Sequence, residues 1–487
     1  MNIAPQKATI THILTKVFLE TKKGKALVVE HSYRDGYFCH IAGWEEISED
    51  DINRLEKGML QWLKSPEQIS ISTKTRAEVL KHMLARPSVS KAANTKKWPT
   101  DNIPIIMLGS SYWDYLLEPV EINKENLLHF RLEKFNDGFL LRFFSNKESC
   151  QKSSILSDQS KLFQIIEEIV QMGDILELST INHVNELVNS GNIRQMLWVA
   201  EGFHEKRISQ IADKIVNEFP SKRVISIAGP SSSGKTTFAK RLGIQLRVNG
   251  FKTVSLSMDD FFIDREKIVT DSSGNKDFET IKAMDVVLLA QRIQTLLSGG
   301  QIPKRSFDFK TGIGHDTQET VQLGEWDLIM LEGIHGLNPS LTKSLGNTKL
   351  HRIYVSAITQ LNIDSNHRVS TSDNRLLRRL VRDHLFRGYS PEDTLERWKS
   401  VREGEERNIF PFQEEADFMF NSSLLYELSV LAKFARPLLK EVSGQSPVKA
   451  EAERLELLLA LVEPMDEDLV PGISILREFI GKSDFHY

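Results

Sequence analysis

The stretch Gly229-Pro230-Ser231-Ser232-Ser233-Gly234-Lys235-Thr236 decides the fold of this chain. It fits G-x-x-x-x-G-K-[ST], a loop (the P-loop) whose backbone N–H groups cradle nucleotide phosphates; a chance glycine- and serine-rich loop is the alternative. An apolar run at 223–228 predicts a buried strand before it, and residues from 237 onward have helical spacing. The positive end of that helix would face the phosphates, so we predict that Lys235 reaches the β- and γ-phosphates and that Thr236 holds Mg²⁺. The predicted nucleotide contacts of the loop are Gly229, Ser231, Ser232, Ser233, Gly234, Lys235, Thr236 and Thr237.

Composition limits the domain number, the cellular location and the partners that we expect for the protein. At 487 residues the chain is long enough for two or three domains, and its net charge of −4 gives no polybasic signal for nucleic acid or membrane. Its two cysteines, Cys39 and Cys150, cannot form a disulfide framework. No apolar run approaches the roughly 18 residues of a membrane span, and the N-terminus lacks the apolar core of a signal peptide. We therefore expect a cytoplasmic protein with no membrane partner; its oligomeric state is left open.

The pattern of strand-like and helical stretches predicts four regions. They are an α+β domain at 1–158, a helical connector at 159–218, a P-loop domain at 219–442 and a helical extension at 443–487. Within the P-loop domain, strands at 223–228, 253–257, 327–331 and 352–357 alternate with helical stretches. This alternation is typical of an α/β fold in which helices cover both faces of a parallel sheet.

The N-terminal region carries recognisable cap and turn signals. Ser48 and Asp51 predict the start of a helix over 48–63, and Asn136-Asp137-Gly138 predicts a hairpin. We interpret the polar, lysine-bearing segment 86–101 as a mobile surface loop, with an RNA-contacting loop as the alternative.

Acidic residues follow two of the predicted strands. We expect the strand 253–257 to pair beside the P-loop strand, so that Asp259 lies in the crevice and takes the proton of an acceptor hydroxyl. Asp260 is the weaker candidate, and a helix-capping role for both aspartates is the alternative. Glu332 ends the strand 327–331, where P-loop enzymes organise Mg²⁺; an ordinary acid at a strand end is the alternative.

An arginine stripe follows in a predicted helix over 375–395. Four arginines at i, i+3, i+4 and i+7 share one helix face and repel one another unless anions or acids neutralise them. Phosphate clamping beside the P-loop is our interpretation, and pairing with glutamates is the alternative. The four residues are Arg375, Arg378, Arg379 and Arg382.

These pieces, from about residue 185 onward, resemble the uridine kinase / phosphoribulokinase family. The matching segments include AGPSSSGKTTFAKRL (228–242), SMDDFFIDRE (257–266), LEGIHGLNP (331–339), NRLLRRLVRDHLFRGYSPEDTLERW (374–398) and ISILREFIG (473–481). The resemblance implies ATP, Mg²⁺ and transfer of the γ-phosphate to a sugar hydroxyl. It also implies that Asp259 is the catalytic base, that Glu332 is linked to Mg²⁺ and that the four arginines face ATP.

The N-terminal part is similar to the second additional domain of threonyl-tRNA synthetases. HSYRDGYFCHIAG (31–43), SEDDINRLEKGM (48–59) and LEKFNDGFLLRF (132–143) carry this likeness. The H-x-x-x-H metal motif of that domain is absent, so the resemblance implies an RNA- or ligand-binding domain rather than editing chemistry and zinc.

Departures from the family pattern concern the phosphate acceptor, which we expect to be a small molecule. The family's ribose-binding Asp corresponds to Lys282, with Glu279 as the alternative, and its R-G-R turn reads Arg387-Gly388-Tyr389. Phe307 falls near the base-gripping aromatic. We therefore expect a kinase that phosphorylates uridine poorly. An ATP-gated RNA-binding or regulatory module is the alternative function.

Overall fold

The computed structural model describes residues 3–33, 35–152, 160–270, 276–359 and 361–486; the predicted boundary at 158/159 lies outside them. The strands of the N-terminal part are Leu27–Tyr33 (β1), Gly36–Ile41 (β2), Ile69–Thr75 (β3), Asn102–Leu108 (β4), Tyr112–Tyr115 (β5), His129–Phe135 (β6) and Gly138–Phe144 (β7). Its helices are Ala4–Thr21 (α1), Glu49–Lys64 (α2), Arg76–Leu84 (α3), Lys91–Lys97 (α4) and Lys147–Lys152 (α5). The strands form two antiparallel sheets, of order β1-β2-β7-β6 and β3-β4-β5.

Helices and a second set of strands make up the rest of the chain. Its helices are Ser160–Ile175 (α6), Ile181–Asn189 (α7), Ile193–Asn217 (α8), Lys235–Val248 (α9), Val286–Leu297 (α10), Pro339–Ser344 (α11), Thr371–Arg382 (α12), Pro391–Asn408 (α13), Glu427–Lys440 (α14), Lys449–Ala460 (α15) and Arg477–Ile480 (α16). Its strands are Val224–Ala228 (β8), Lys252–Ser257 (β9), Gln301–Asp308 (β10), Ile313–Gln322 (β11), Asp327–Glu332 (β12), Leu350–Ser356 (β13) and Phe418–Asn421 (β14). None of the helices in the described ranges is long and apolar enough to cross a membrane.

A five-stranded parallel sheet confirms the predicted α/β fold. Its order is β14-β13-β8-β12-β9, and β10 with β11 forms a separate antiparallel hairpin. The P-loop strand β8 lies at the centre, and all five of its residues are buried. Buried, apolar strands of this kind are typical of a parallel sheet that is covered on both faces.

The expected pairing of the strand after the P-loop helix was wrong. β12, rather than β9, lies beside β8, and Ile329 of β12 is in register with Val224 on one side and Val254 on the other. The burial of the two strands explains this order. β12 buries four consecutive apolar residues, whereas β9 exposes Lys252 and Ser255 and therefore suits the edge of the sheet.

One hydrophobic core joins regions that are distant in sequence. It contains Val79 and Ile103 of the N-terminal part, Ile227 of the parallel sheet and Leu455 and Phe479 near the C-terminus. The segment from α3 to β5 and the C-terminal helices are therefore packed onto the P-loop domain.

The segment predicted as a mobile loop contains a helix and is partly buried. Residues 91–97 form α4, and the ammonium group of Lys91 lies 2.5 Å from a carboxylate oxygen of Asp114, with both side chains almost fully buried. Asn94 of the same helix donates to the carbonyl oxygen of Ile363 at 3.1 Å. The prediction was wrong because the polar residues of this segment pair with partners elsewhere in the chain.

The predicted helix over 375–395 is two helices. α12 ends at Arg382, a π-turn covers residues 383–387, and Gly388 adopts a left-handed conformation with φ of 67°. α13 then begins at Pro391, and the backbone N–H of Asp393 donates to the hydroxyl of its N-cap, Ser390.

Candidate active site

The carboxyl ends of three neighbouring strands bring the main predicted residues together. β8 ends at Ala228, directly before the P-loop, β12 ends at Glu332, and β9 ends two residues before Asp259. Glu332 is in register with Ile227 of β8 and Ser257 of β9. Because the carboxyl ends of parallel strands meet at one edge of the sheet, the P-loop, Glu332 and Asp259 share one crevice.

Two glycines allow the backbone path of the P-loop. A methyl group on Gly229 would lie 2.1 Å from the carbonyl oxygen of Val355, so β13 leaves no room for a side chain. Gly234, the N-cap of α9, has φ of 81°, a conformation that favours glycine. α9 begins at Lys235, so the N–H groups of its first turn lie at the carboxyl edge of the sheet; that of Thr237 donates to Glu478 at 3.1 Å.

Arg375 and Arg378 hold the P-loop from the side of α12. Arg375 donates to both carboxylate oxygens of Glu405, at 2.5 and 2.7 Å, and to the carbonyl oxygen of Ser231 at 3.0 Å. Arg378 donates twice to Glu427, at 2.7 and 2.5 Å, and reaches the next carbonyl of the loop at 3.4 Å. Both arginines are fully buried. The predicted phosphate clamp is therefore corrected for these two residues, which buried glutamates neutralise.

Arg379 and Arg382 are the two less buried arginines of the stripe. Arg379 donates to the hydroxyl of Ser231 at 2.9 Å and pairs with Asp383 at 3.2 Å. Arg382 pairs with the same carboxylate at 2.9 Å. Burial lowers the pKa of Arg379. The predicted contact of these two guanidinium groups with ATP stays a prediction.

Lys235, Thr236 and Glu332 form the predicted metal and phosphate centre. The ammonium group of Lys235 lies 3.8 Å from a carboxylate oxygen of Glu332. Burial raises the pKa of Glu332 from 4.5 to about 7; nearby Asp259 adds to this rise, and Lys235 and a hydrogen bond from Thr236 partly offset it. The centre therefore has more negative charge than its one lysine neutralises.

The two aspartates after β9 differ in their surroundings. Burial in the crevice raises the pKa of Asp259, and Lys235 and Arg387 act in the opposite direction. Asp260 accepts a hydrogen bond at 3.3 Å from the backbone N–H of Phe307 in β10. Asp259 is the aspartate that interacts with Lys235, whereas Asp260 fixes the hairpin.

Glu279, the alternative acceptor ligand, lies in the same electrostatic cluster. Burial, with smaller contributions from Glu405 and Asp259, raises the pKa of Glu279 to about 7. A methyl group on Gly404 of α13 would lie 2.6 Å from the Glu279 side chain, so only glycine permits this approach. Lys282, in contrast, is exposed on a 3-10 turn over 281–283. The assignment of the acceptor contact to Lys282, with Glu279 as the alternative, stays a prediction.

The two other predicted acceptor contacts, Phe307 and Tyr389, pack against neighbouring side chains, and their contact with an acceptor stays a prediction. Phe307 is buried, and its ring packs against Phe262 and Phe309. Phe309 is the exposed aromatic of this group. One face of the Tyr389 ring lies against the guanidinium of Arg397, whose carbon is 4.4 Å from the ring centroid.

Comparison with known proteins agrees with this geometry. Residues 224–425 match the model of the phosphoribulokinase / uridine kinase family. We call this matched region the family domain. The matched residues contain the P-loop, Asp259, Glu332 and the arginine stripe, so a kinase role follows for this part of the chain.

Curated relatives cover the same part of the chain. A uridine kinase from Halalkalibacterium halodurans is 29% identical over 195 residues, which are 40% of this chain and 83% of the relative. One from Bacillus subtilis is 29% identical over 37% of this chain and 75% of its own length. One from Staphylococcus aureus is 27% identical over 40% and 86%.

Solved structures also align with part of the chain. A possible uridine kinase from Bacillus stearothermophilus is 21% identical, covers 44% of this chain and 98% of its own, and has a TM-score of 0.31. A D-glycerate 3-kinase from Cryptococcus neoformans is 14% identical, covers 58% and 88%, and has a TM-score of 0.24.

Sequence reasoning missed three glutamates around the P-loop of the family domain. Glu405 and Glu427 neutralise the buried arginines, and Glu405 also accepts from the backbone N–H of Ser231 at 2.9 Å. Glu478, from beyond the family domain, contacts Thr237. The four arginines on one helix face indicated that acidic partners are needed. Which glutamates supply them depends on tertiary contacts.

Proposed function

We propose that this chain transfers the γ-phosphate of ATP to a hydroxyl group of a small sugar-like molecule. The observation that carries this proposal is the convergence of the P-loop, Lys235, Glu332 and Asp259 at one edge of the sheet. A phosphoryl transferase needs a phosphate cradle, a cation site and a carboxylate beside the acceptor, and these residues supply all three.

The residues of the crevice fit Mg²⁺. The Thr236 hydroxyl and the Glu332 carboxylate offer oxygen ligands, which Mg²⁺ prefers, directly or through water. The raised pKa of Glu332, caused first by burial, indicates a carboxylate that lacks sufficient cationic partners. Bound Mg²⁺ would neutralise charge on the β- and γ-phosphate oxygens.

The side chains then have separate tasks. Lys235 and the N–H groups at the start of α9 bind and orient the phosphates. Asp259 orients the acceptor hydroxyl and accepts its proton, and the burial that raises its pKa makes it a stronger proton acceptor.

Glu279 supports an acceptor with neighbouring hydroxyl groups. A carboxylate can accept hydrogen bonds from two adjacent hydroxyls, and Glu279 interacts electrostatically with Asp259. Uridine remains a poor acceptor in this proposal, because Phe307 is buried and one face of the Tyr389 ring lies against Arg397, which leaves little aromatic surface for a base.

An RNA-binding module receives less support. Of the lysines in segment 86–101, Lys91 is buried against Asp114 and Lys97 pairs with Glu463 at 2.5 Å. These cations already have carboxylate partners, so they are poor ligands for an RNA backbone.

The two free cysteines agree with a cytoplasmic location.

The test is ADP release by the full chain with Mg²⁺-ATP and a panel of sugars, sugar phosphates and nucleosides that includes uridine. A parallel series adds tRNA instead of an acceptor. We expect one class of hydroxyl acceptor to stimulate ADP release, and Lys235→Ala to abolish that stimulation. Stimulation by tRNA alone would contradict the proposal.

A further inference from the structure

The C-terminal segment places a carboxylate on the P-loop helix. Glu478, the second residue of α16, accepts two hydrogen bonds from Thr237 through the same oxygen. The backbone N–H of Thr237 donates at 3.1 Å and its hydroxyl donates at 2.7 Å. Thr237 belongs to the first turn of α9, immediately after the P-loop motif.

Contacts on both sides of Glu478 keep it there. Ile475 lies so close to Gly234 that a methyl group on the glycine would be 2.5 Å from its side chain. Phe479 is fully buried, and the guanidinium carbon of Arg378 lies 5.0 Å from its ring centroid. Lys240 donates to the carbonyl oxygen of His486 at 2.6 Å. The segment is thus anchored, and the Glu478 side chain is the part that can rotate.

The position of this carboxylate conflicts with phosphate binding. N–H groups and hydroxyls at the start of the helix after a P-loop are the donors that nucleotide phosphates use. A phosphate oxygen and the Glu478 carboxylate cannot both accept from Thr237 at these distances, and their like charges repel.

We propose that Glu478 is an internal competitor of the nucleotide: its carboxylate occupies a phosphate position on Thr237 and has to rotate away before the phosphates bind. This inference rests on the proposed nucleotide site. It adds that the C-terminal extension, outside the family domain, sets the affinity of that site. In the closed conformation the Glu478 carboxylate occupies the donors of Thr237, and in the open one it has rotated away. The apparent affinity for nucleotide is reduced in proportion to the fraction of molecules in the open conformation.

Calorimetric titration of ADP into the full chain tests the proposal. Glu478→Gln removes the charge while keeping the shape, and we expect ADP to bind roughly 10- to 100-fold more tightly, because the lost contacts are hydrogen bonds to a charged group. Glu478→Asp keeps the charge but shortens the reach by one methylene, and we expect a smaller gain. The control Asp468→Asn removes an exposed negative charge of the same extension, which pairs with Lys482, and should leave ADP affinity unchanged.

The outcomes separate this inference from the function on which it rests. ADP binding to the wild type with no gain in Glu478→Gln, or with a loss, overturns the competitor and leaves the nucleotide site standing. Absence of ADP binding to both proteins overturns the nucleotide site and the competitor together. Binding to Glu478→Gln but not to the wild type supports both.

Discussion

Replacing Glu332 by Gln should stabilise the protein and abolish its activity. Burial is the main reason that the pKa of Glu332 rises from 4.5 to about 7 in the folded protein. Between these two pH values the folded state keeps a proton that the unfolded state has lost. The free energy of unfolding therefore falls as pH rises through this window, and the full cost of the ionised carboxylate is present above pH 7.

The magnitude follows from the size of that pKa shift. At about 1.4 kcal/mol per unit, the shift corresponds to about 3 kcal/mol at pH 8 and to less than about 1 kcal/mol at pH 5. The side chain of Glu332 is 22% exposed, so solvent screens this cost only in part. The amide of Gln resembles the protonated, neutral form of Glu332, so the variant does not carry this cost. At roughly 2.1 cal/mol/K of unfolding entropy per residue, the gain is about 3 °C in Tm at pH 8 for a chain of this length.

Thermal unfolding of wild type and Glu332→Gln at pH 5 and pH 8 measures this difference. The matched control is Glu319→Gln on the exposed β11, where Glu319 pairs with Lys304 and no such gain is expected. An equal Tm difference at both pH values would refute the reasoning, because a packing effect does not depend on pH. A variant less stable than the wild type at pH 8 would refute it as well.

Three further predictions follow from the site. Lys235→Ala should abolish ATP turnover while circular dichroism shows that the fold is retained, because the ammonium group binds phosphate and contributes little packing; unchanged turnover would remove the P-loop from the mechanism. Asp259→Asn should lower kcat by about 10²–10⁴ with ADP affinity little changed, whereas Asp260→Asn should cost less; steady-state kinetics in which Asp260→Asn is the inactive variant would reverse the assignment. Arg375→Ala should destabilise the protein by about 3–5 kcal/mol in urea unfolding, because it leaves Glu405 buried without its partner, and a loss below about 1 kcal/mol would contradict a buried ion pair.

The sequence predicted the P-loop and its flanks because the determinants are local. A buried apolar strand, glycines at fixed positions and a helical repeat all lie within about 25 residues, and Gly229 and Gly234 have the close contact and the backbone angle that the motif requires. The position of Glu332 at the end of a buried strand was predicted for the same reason.

The errors concern features that depend on distant residues. α4 looked like a polar loop because Lys91 and Asn94 find their partners only in the folded chain. The arginine stripe indicated a need for anions but could not show that Glu405 and Glu427, from other helices, supply them. The break between α12 and α13 was readable, since Gly388 and the Ser390-Pro391 pair are strong end and start signals.

The buried network that includes Asp114 has a consequence for synthesis of the chain on the ribosome. Tyr115, next to Asp114, donates its hydroxyl proton to Asp364, a residue 249 positions later. At roughly 5–20 residues per second, Asp364 is made about 12–50 s after Tyr115. During that interval the apolar residues of α3 and β4 lack those core partners that come from later in the chain, such as Leu455 and Phe479. We therefore expect the nascent N-terminal part to keep some apolar surface exposed, and slow translation between residues 115 and 364 would lengthen that exposure.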